Sequence, residues 1–267
     1  MLTENAISRV REERPLVQAI TNYVTINDCA NIALAVGGSP AMCESKREVH
    51  DFVSLIRALY VNVGTLNDEQ RESIYISMER ASQLGVPIVL DPVGVVALEN
   101  RLRLVEDLLD KFDVTCVNGN VAEIKCLSGR DALAKGVDSL DAGKDVSIAA
   151  EELCQNYDTA VLVSGERDYI SDGDKIFAVD NGSPLFEQIT GAGCMLGMLT
   201  GVFVGAHEDV LEASLASALT MSVAGEMAAE NIDRSTDVGS FKVKLFDAMA
   251  AITDEKLQER GDYHKIG

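Results

Sequence analysis

The chain has 267 residues, of which 47% are hydrophobic and none is Trp, and its 43 acidic residues outnumber its 23 basic residues. This length and composition indicate a globular protein, and the lack of a linker-like segment favours a single domain over residues 1–267. The net charge of −20 repels nucleic-acid phosphates and anionic lipid. We therefore expect no nucleic-acid or membrane partner, and any phosphate-binding site must use backbone amides, a helix terminus or a metal ion.

The cysteines and histidines argue against a zinc site. The six cysteines form no Cys-x-x-Cys pair, and the three histidines lack metal-ligand spacing. Charged residues between Glu4 and Arg14 interrupt any apolar leader. We expect a reducing cytoplasmic location, with most thiols serving as small buried hydrophobic groups.

Short apolar runs alternate with helical patterns through the first part of the chain. This alternation is typical of a doubly wound α/β domain with a mostly parallel central sheet and helices on both faces. Gly37 and Gly85 stand where helix C-caps are needed. The predicted strands are 16–20, 59–63, 87–90, 114–117 and 159–163, and the predicted helices are 26–36, 68–84, 101–112 and 145–157.

The pattern changes after the last of these strands. The sequence Asp172-Gly173-Asp174 lies between two strand-like runs, 168–171 and 175–179, and predicts a hairpin that gives the sheet an antiparallel edge. Helical patterns follow at 194–205, 210–231 and 238–252. We expect the charged segment 254–267 to fray.

The segment ITGAGC, residues 189–194, is a glycine-rich turn that runs directly into an apolar helical pattern. Such a turn directs several amides one way, and the positive end of the helix dipole adds to them, so the segment favours a bound anion. A tight turn without a ligand explains this motif equally well when it is taken alone.

The uncharged run 189–206 has 18 residues, and glycine recurs at every fourth position from Gly193 to Gly205. This length is at the lower limit for a membrane span, and the glycine spacing occurs in packed membrane helices. Because the run begins in a glycine turn and no second span exists, we interpret it as a buried helix whose glycine face lets another element approach closely.

Two acidic motifs follow predicted strands. In NGNVAE, residues 118–123, Asn120 and Glu123 have the spacing of a capping box. Glu123 also stands at the carboxyl end of a strand, where it can hold Mg²⁺ directly or through water. In LDPVG, Asp91 ends a strand in a similar position, although an Asp that begins a turn is the simpler explanation.

Two other motifs have ordinary structural explanations. TNYVTIND, from Thr21, follows the first predicted strand, and Thr25 resembles a helix N-cap. In the predicted loop Ser39-Pro40-Ala41-Met42, the Met42 side chain suits an aromatic ligand but equally suits core filling. The chain has no Gly-x-x-x-x-Gly-Lys-Ser/Thr loop and no Gly-x-Gly-x-x-Gly after its first strand, and its few histidines argue against a Ser-His-Asp hydrolase.

Together these segments resemble the hydroxyethylthiazole kinases of thiamine salvage over nearly the whole chain, from about Pro15 to Ile252. Six motifs stand in that family's order: TNYVTINDCAN from Thr21, GGSPAM from Gly37, LDPVG from Leu90, NGNVAEI from Asn118, KGVDS from Lys135 and TGAGC from Thr190.

This resemblance implies a ribokinase-like fold and transfer of a phosphoryl group from ATP to the hydroxyl of 4-methyl-5-(2-hydroxyethyl)thiazole, with Mg²⁺ as cofactor. It also implies a homotrimer with active sites shared between neighbouring subunits. Cys194 stands where wider ribokinase-like enzymes carry a catalytic Asp. The other implied residues are Met42, Gly191, Asn22, Val24 and Asn27 for the thiazole, Asn118, Ser164 and Gly193 for ATP, and Asp91 and Glu123 for the metal.

The chain departs from the family at two positions. Gln18 replaces a His that many members carry, and Asn118 replaces a frequent Arg, which removes a cation from the ATP contact. Three other activities remain open at this point: hydroxymethylpyrimidine kinase, ADP-dependent dehydratase for hydrated nicotinamide cofactors, and a nucleotide sensor without catalysis. Both enzymes would be expected to carry Asp at position 194, whereas Asp91 and Glu123 argue against a sensor.

A mechanism follows from these residues. Phosphoryl transfer needs positioning and charge neutralisation, which the amides of residues 191–194 and a metal at Glu123 and Asp91 can provide. The alcohol then attacks from beside Cys194. Because a helix N-terminus favours a thiolate, we expect the pKa of Cys194 to be lowered.

Overall fold

The computed structural model describes residues 4–130 and 139–266. Its helices are α1 Ala6–Glu13, α2 Ile26–Val36, α3 Val49–Phe52, α4 Asp68–Leu84, α5 Glu99–Lys111, α6 Val121–Leu127, α7 Ser139–Tyr157, α8 Ala192–Ala206, α9 Val210–Ala229, α10 Val238–Ala251 and α11 Asp254–Arg260, with short 3₁₀ turns at Val53–Leu55 and Pro184–Gln188. Its strands are β1 Leu16–Ile20, β2 Ser39–Ala41, β3 Ala58–Asn62, β4 Ile88–Asp91, β5 Cys116–Asn120, β6 Ala160–Ser164, β7 Asp168–Ser171, β8 Ile176–Val179 and β9 Tyr263–Lys265.

In the described part of the chain, nine strands form one sheet in the order β2-β1-β3-β4-β5-β6-β7-β8-β9. The strands from β2 to β6 are parallel, and β7, β8 and β9 add an antiparallel edge. The predicted mostly parallel sheet with an antiparallel edge is therefore confirmed. Because the parallel strands share one direction, their carboxyl ends meet along one side of the sheet.

Helices cover both faces of the sheet. On one face, α1, α2, α8, α9 and α10 bury a core that includes Ile32, Phe203 and Phe241. On the other face, α3 to α7 bury a second core that includes Met78 and Leu108. The strands themselves are buried on both sides, which explains why they are continuous apolar runs in the sequence.

Local signals fixed several boundaries correctly. The predicted bounds of β1, α2 and α4 agree with the structure residue for residue. The C-cap glycines take the left-handed conformation, with φ of 118° at Gly37 and 66° at Gly85. This conformation costs other residues a steric clash, so glycine ends both helices here.

The glycine face of α8 packs directly on the sheet. A Cβ atom added at Gly197 would lie 2.7 Å from Cε2 of Tyr60 on β3, and one added at Gly201 would lie 3.3 Å from Val17 on β1. The interpretation of this segment as a buried helix that another element approaches closely is therefore correct. Among the described residues, no helix has both the length and the apolar character required to cross a membrane.

Two segments differ from expectation. Residues 254–265, predicted to fray, form α11 and β9, because β9 pairs with β8 and Asp254 accepts a hydrogen bond from the backbone N–H of Ile7 at 2.7 Å. The predicted loop at Ser39 forms β2, which pairs with β1. The KGVDS motif lies outside the described residues except for its last residue, where α7 begins.

Candidate active site

A cavity of about 360 Å³ lies at the carboxyl ends of the parallel strands. Nine of the eleven site residues implied by the sequence line it, and within the described chain its lining contains no Lys, Arg or His. The lining residues are Asn22, Val24, Thr25, Gly64, Thr65, Asp91, Val93, Asn118, Gly119, Asn120, Glu123, Ser164, Thr190, Gly191, Gly193 and Cys194.

The glycine-rich turn forms one wall of this cavity. Gly191 caps α8 with φ of 88°, and a Cβ atom there would lie 2.5 Å from the Cγ2 atom of Thr25. Glycine is therefore required both by the backbone conformation and by the contact with Thr25. A Cβ atom added at Gly193 would meet nothing within 4 Å. The first amides of a helix have no intrahelical acceptor, so this turn presents free N–H donors and a positive dipole end to the cavity.

Asp91 ends β4 at the bottom of the cavity and is buried. Its Oδ2 atom accepts hydrogen bonds from Tyr60 Oη at 2.9 Å and from Asn62 Nδ2 at 2.8 Å. Burial, followed by the nearby charge of Glu123, raises the pKa of Asp91 well above its ordinary value. Two carboxylates in a cavity whose described lining contains no Lys, Arg or His would attract a divalent ion.

Glu123 lies in the first turn of α6 and closes a capping box. Its Oε2 atom accepts a hydrogen bond from the backbone N–H of Asn120 at 3.0 Å, and the Asn120 side chain accepts one from the N–H of Glu123 at 3.0 Å. Its Oε1 atom accepts from the N–H of Gly94, also at 3.0 Å. The capping explanation is thus correct, yet the same carboxylate is buried and lines the cavity. Burial raises the pKa of Glu123, and the two backbone hydrogen bonds oppose that shift.

Cys194 lies in the first turn of α8, with its Sγ atom 3.3 Å from both Asn22 Nδ2 and Asn62 Nδ2. The expectation of a lowered thiol pKa is wrong. Burial, followed by the charge of Asp91, raises the pKa of Cys194 to about 11 and outweighs the helix dipole. The side chain is therefore a neutral thiol at pH 7.

The segment after β1 is organised by Asn22 and not by Thr25. Asn22 Oδ1 accepts hydrogen bonds from the N–H of Val24 at 3.1 Å and from the N–H and hydroxyl of Thr25 at 3.1 and 3.0 Å. Thr25 is the N-cap of α2 by position, but its side chain makes no capping hydrogen bond. Asn22 therefore shapes the turn and also faces the cavity.

Gln18 and Asn118, the two positions that depart from the family pattern that the sequence resembles, are buried. Asn118 Nδ2 donates to the carbonyl of Gly193 at 3.3 Å, which links β5 to the glycine-rich turn. Asn118 Oδ1 has no hydrogen-bond partner among the described residues. Gln18 Nε2 donates to the carbonyl of Cys43 at 2.9 Å within the protein interior.

A second cavity, of about 690 Å³, adjoins the first and shares Asn120, Ser164 and Gly193 with it. Asp168 also lines this second cavity and accepts hydrogen bonds from the N–H of Gly165 at 2.9 Å and from Ser222 Oγ at 3.3 Å. Burial raises the pKa of Asp168 to about 7. Asp168 was not among the predicted site residues, because it begins the hairpin strand β7 and belongs to no recognised motif.

Met42 and Asn27 do not line either cavity. Met42 is partly buried against the core on the α2 and α8 face. Asn27 is exposed in the first turn of α2, where its side chain accepts a hydrogen bond from Asn31 Nδ2 at 3.0 Å. The first cavity of a single chain is therefore lined by three of the five expected thiazole residues, Asn22, Val24 and Gly191.

Sequence reasoning missed Tyr60 and Asn62, which join Asp91 to Cys194. The predicted strand 59–63 placed Asn62 inside an apolar run, whereas β3 ends at Asn62. A polar residue at the end of a buried parallel strand is the signal that identified Asp91, and the same signal identifies Asn62.

The donor set fits Mg²⁺ better than a transition metal. Asp91 and Glu123 offer carboxylate oxygens, which Mg²⁺ prefers, and no group of three or more His, Cys, Asp or Glu in the described chain could hold a metal ion. Mg²⁺ usually binds one or two carboxylates together with waters and substrate phosphates, so two carboxylates suffice.

Comparison with known proteins is consistent with this geometry. The model of the Hydroxyethylthiazole kinase family matches residues 7–255. The chain is 55% identical to a hydroxyethylthiazole kinase of Natranaerobius thermophilus over 260 residues, covering 97% of this chain and 95% of that protein. The chain belongs to the hydroxyethylthiazole kinase family.

Solved structures support the family assignment and the fold. A hydroxyethylthiazole kinase from Pyrococcus horikoshii OT3 superposes with a TM-score of 0.91 at 35% identity, over 99% of both chains. A Bacillus subtilis pyridoxal kinase in complex with ADP superposes with a TM-score of 0.59 at 15% identity, over 79% of this chain and 91% of that one, and shows likeness of fold alone. The predicted ribokinase-like fold is confirmed.

Proposed function

We propose that the protein transfers the γ-phosphoryl group of ATP to the hydroxyl of 4-methyl-5-(2-hydroxyethyl)thiazole, a reaction of thiamine salvage. The products are the phosphate ester, ADP and a proton. One observation carries the proposal: a family match over residues 7–255 coincides with a cavity in which free helix amides face two buried carboxylates. Free amides and carboxylates are the groups that position a phosphoryl group and its metal.

The phosphoryl group binds at the first turn of α8. The backbone amides of that turn bear partial positive charge. They are fixed in place by the conformation of Gly191 and by the hydrogen bond from Asn118 Nδ2 to the carbonyl of Gly193. They therefore stabilise charge on the transferring group, and no Lys or Arg is among the described residues that line the cavity. This arrangement suits a chain of net charge −20.

Asp91 and Glu123 hold Mg²⁺ in this proposal. When bound, the ion neutralises charge on the nucleotide phosphates. Both oxygens of Glu123 already accept a backbone hydrogen bond, and Oδ2 of Asp91 accepts two. These bonds fix the two carboxylates in place and favour contact with the ion through its bound waters.

The nucleoside of ATP occupies the second cavity, and Ser164 stands between the two cavities. The neighbouring turn is held by Asp168, which accepts a hydrogen bond from the N–H of Gly165. Ser164 is therefore placed to contact ATP where the phosphates leave the nucleoside pocket, and Gly193, which also lines both cavities, contacts the phosphates.

The thiazole binds beside Asn22, Val24 and Gly191, and a neighbouring subunit completes the pocket in a homotrimer. Val24 lines the cavity and leaves 61% of its surface exposed, and the adjacent Tyr23 leaves 55% exposed. Met42 and Asn27 lie outside the lining of one subunit, as residues that serve a neighbour's site would. Sedimentation should give a trimer, and dilution to monomer should abolish turnover.

Cys194 contributes less than a strong base would. With a pKa of about 11, its thiol keeps its proton at pH 7. In a loose transition state the alcohol loses its proton late, after most of the phosphoryl transfer, so no strong base is needed. A neutral thiol beside the alcohol therefore orients it and does not take its proton, which leaves with the product to solvent.

The protein is further proposed to act as one domain in the cytoplasm. The described strands belong to one sheet, and the six cysteines are free thiols, which is typical of a reducing compartment.

The decisive experiment incubates the protein with Mg-ATP and a panel of alcohols and identifies products by mass spectrometry. We expect a phosphate ester of the thiazole alcohol and an equal amount of ADP. Phosphorylation of hydroxymethylpyrimidine in place of the thiazole would overturn the substrate assignment. ATP binding without any ester would favour the nucleotide sensor.

A further inference from the structure

Asn62 occupies a central position beside the proposed active site. It ends β3, pairs in register with Asp91 on β4, and is only 2% exposed. Asn62 does not line the cavity, so it can act only through its neighbours.

The hydrogen bonds of Asn62 define the orientation of its amide. Oδ1 accepts from Asn22 Nδ2 at 3.0 Å and from the N–H of Gly64 at 2.9 Å. Both partners are donors, so an oxygen must stand on this side. The NH₂ group therefore points towards Asp91 and Cys194.

Nδ2 of Asn62 lies 2.8 Å from Asp91 Oδ2, 3.0 Å from Tyr60 Oη and 3.3 Å from Cys194 Sγ. Two amide hydrogens thus serve three acceptors, and the bond to the carboxylate is the strongest when Asp91 is ionised. Tyr60 Oη donates to the same Asp91 oxygen at 2.9 Å. Two donors from one strand converge on Oδ2 and fix the direction of the carboxylate.

We infer that Asn62 is a positioning residue that holds the Asp91 carboxylate, the Cys194 thiol and the Asn22 amide in one arrangement. The inference rests on the proposed function, because Asp91, Cys194 and Asn22 serve the metal, the alcohol and the thiazole there. Asn62 is the one residue among the described hydrogen bonds that contacts all three side chains. Its loss should therefore impair the reacting end of the site and leave the nucleoside pocket intact.

Asn62→Asp is the most direct test, because it keeps the shape and replaces the NH₂ donors by oxygen. We expect kcat to fall about tenfold or more while KM for ATP changes less than about threefold. Asn231→Asp is the matched control, since Asn231 is exposed at the end of α9 and receives the same substitution. It should behave like the parent.

A second measurement reports positioning without any activity. At pH 9, iodoacetamide alkylation of Cys194, followed by peptide mass spectrometry, measures the reactive thiolate. Asn62→Asp removes a donor to Sγ and adds negative charge, so alkylation of Cys194 should slow by about threefold or more. Alkylation of the partly exposed Cys43 serves as the internal reference.

Asn62→Ser is the second variant if the Asp variant does not fold. It keeps a small polar group but cannot reach all three partners, so kcat should again fall with little change in KM for ATP. Parent values of kcat and of Cys194 alkylation in a folded Asn62 variant would overturn the inference. A parent protein that makes no phosphate ester would instead contradict the proposed function, while the alkylation measurement would still test Asn62.

Discussion

The two ends of the parallel sheet offer two cavities with opposite character. The carboxyl-end cavity has a volume of about 360 Å³ and is lined by buried polar groups such as Asp91, Asn118 and Glu123. The amino-end cavity is larger, at about 570 Å³, and its lining includes Arg9, Arg57 and other charged residues at the surface. Positive charge alone would select the amino end for an anionic nucleotide.

The polar contacts at the two ends favour the carboxyl end as the nucleotide site instead. At the amino end, Arg9 pairs with Glu208 at 3.9 Å, with the two side chains 45% and 96% exposed, and Arg57 pairs with Glu13 at 4.0 Å. Exposed pairs of this kind are weak and easily replaced by water. At the carboxyl end, Asp91 is held at fixed distances by buried donors, which costs desolvation energy and so indicates a functional site.

The largest difference in kcat between substitutions at the two ends of the sheet should come from removing the charge of Glu123. Glu123→Gln removes a carboxylate from the proposed metal site and should lower kcat by about 10²-fold or more. Its amide can accept only one of the two backbone hydrogen bonds, so the free energy of unfolding should also fall by about 1–2 kcal/mol. Steady-state kinetics and thermal unfolding measure the two effects separately.

The matched control is Asp113→Asn, which removes one carboxylate from the lining of the amino-end cavity. It should leave kcat unchanged. Normal turnover in folded Glu123→Gln, with only a lower melting temperature, would mean that the capping box is the whole role of Glu123.

Cys194 should give the next largest effect. Cys194→Ala should keep turnover within about a hundredfold of the parent, because a thiol with a raised pKa contributes little as a base. Cys194→Asp supplies the oxygen base of the wider superfamily and should retain or raise kcat. The comparison requires that both variants be folded, which circular dichroism checks. If Cys194→Asp lowers turnover as much as Cys194→Ala does, Cys194 does not occupy the position of a base. A covalent phosphoryl adduct at Cys194 would exclude direct transfer.

The sequence predicted the carboxyl-end site better than it predicted the chemistry there. Asp91, Asn118 and Glu123 each follow a recognisable parallel strand, and such strand ends must converge, so their proximity followed from topology. The pKa of Cys194 did not follow, because it depends on burial and on Asp91, which is distant in sequence. Asn62 was missed because a one-residue error in the strand boundary concealed a polar residue at the strand end.

The edges of the sheet were also harder to predict than its centre. Central strands are long apolar runs, whereas β2 and β9 have three residues each and form only because β1 and β8 offer them a partner. The charged sequence around β9 resembles an unstructured tail until that pairing is known. Non-local pairing leaves no local pattern to detect.

The buried carboxyl group of Asp168 should make the free energy of unfolding depend on pH, which the exposed charges at the amino end should do much less. Its folded-state pKa of about 7 lies above the ordinary value of 3.8, so the native protein binds more protons than the unfolded chain between these values. The free energy of unfolding should therefore fall as pH rises from about 4 to about 7, by on the order of 1 kcal/mol per pH unit for this group.

Asp168→Asn should lack this part of the decline, because its amide can accept a hydrogen bond from Gly165 and donate one to Ser222 without a charge. Melting temperatures of parent and variant at pH 5 and pH 8 test this, and an equal decline in both would contradict the assignment.

The smallest effect should come from the cations at the amino end. Arg9→Ala combined with Arg57→Ala removes both arginines from the lining of that cavity. Each exposed ion pair contributes about 1 kcal/mol or less and is screened by salt, so the melting temperature should shift slightly at low ionic strength and less at 1 M NaCl. KM for ATP should stay at the parent value, because the amides of α8, at the other end of the sheet, bind the phosphates in the proposed function.

Steady-state kinetics at low salt and at 1 M NaCl provides the measurement. A marked rise in KM for ATP that disappears in high salt would mean that the arginines attract the nucleotide, and the functional contrast between the two ends of the sheet would then fail.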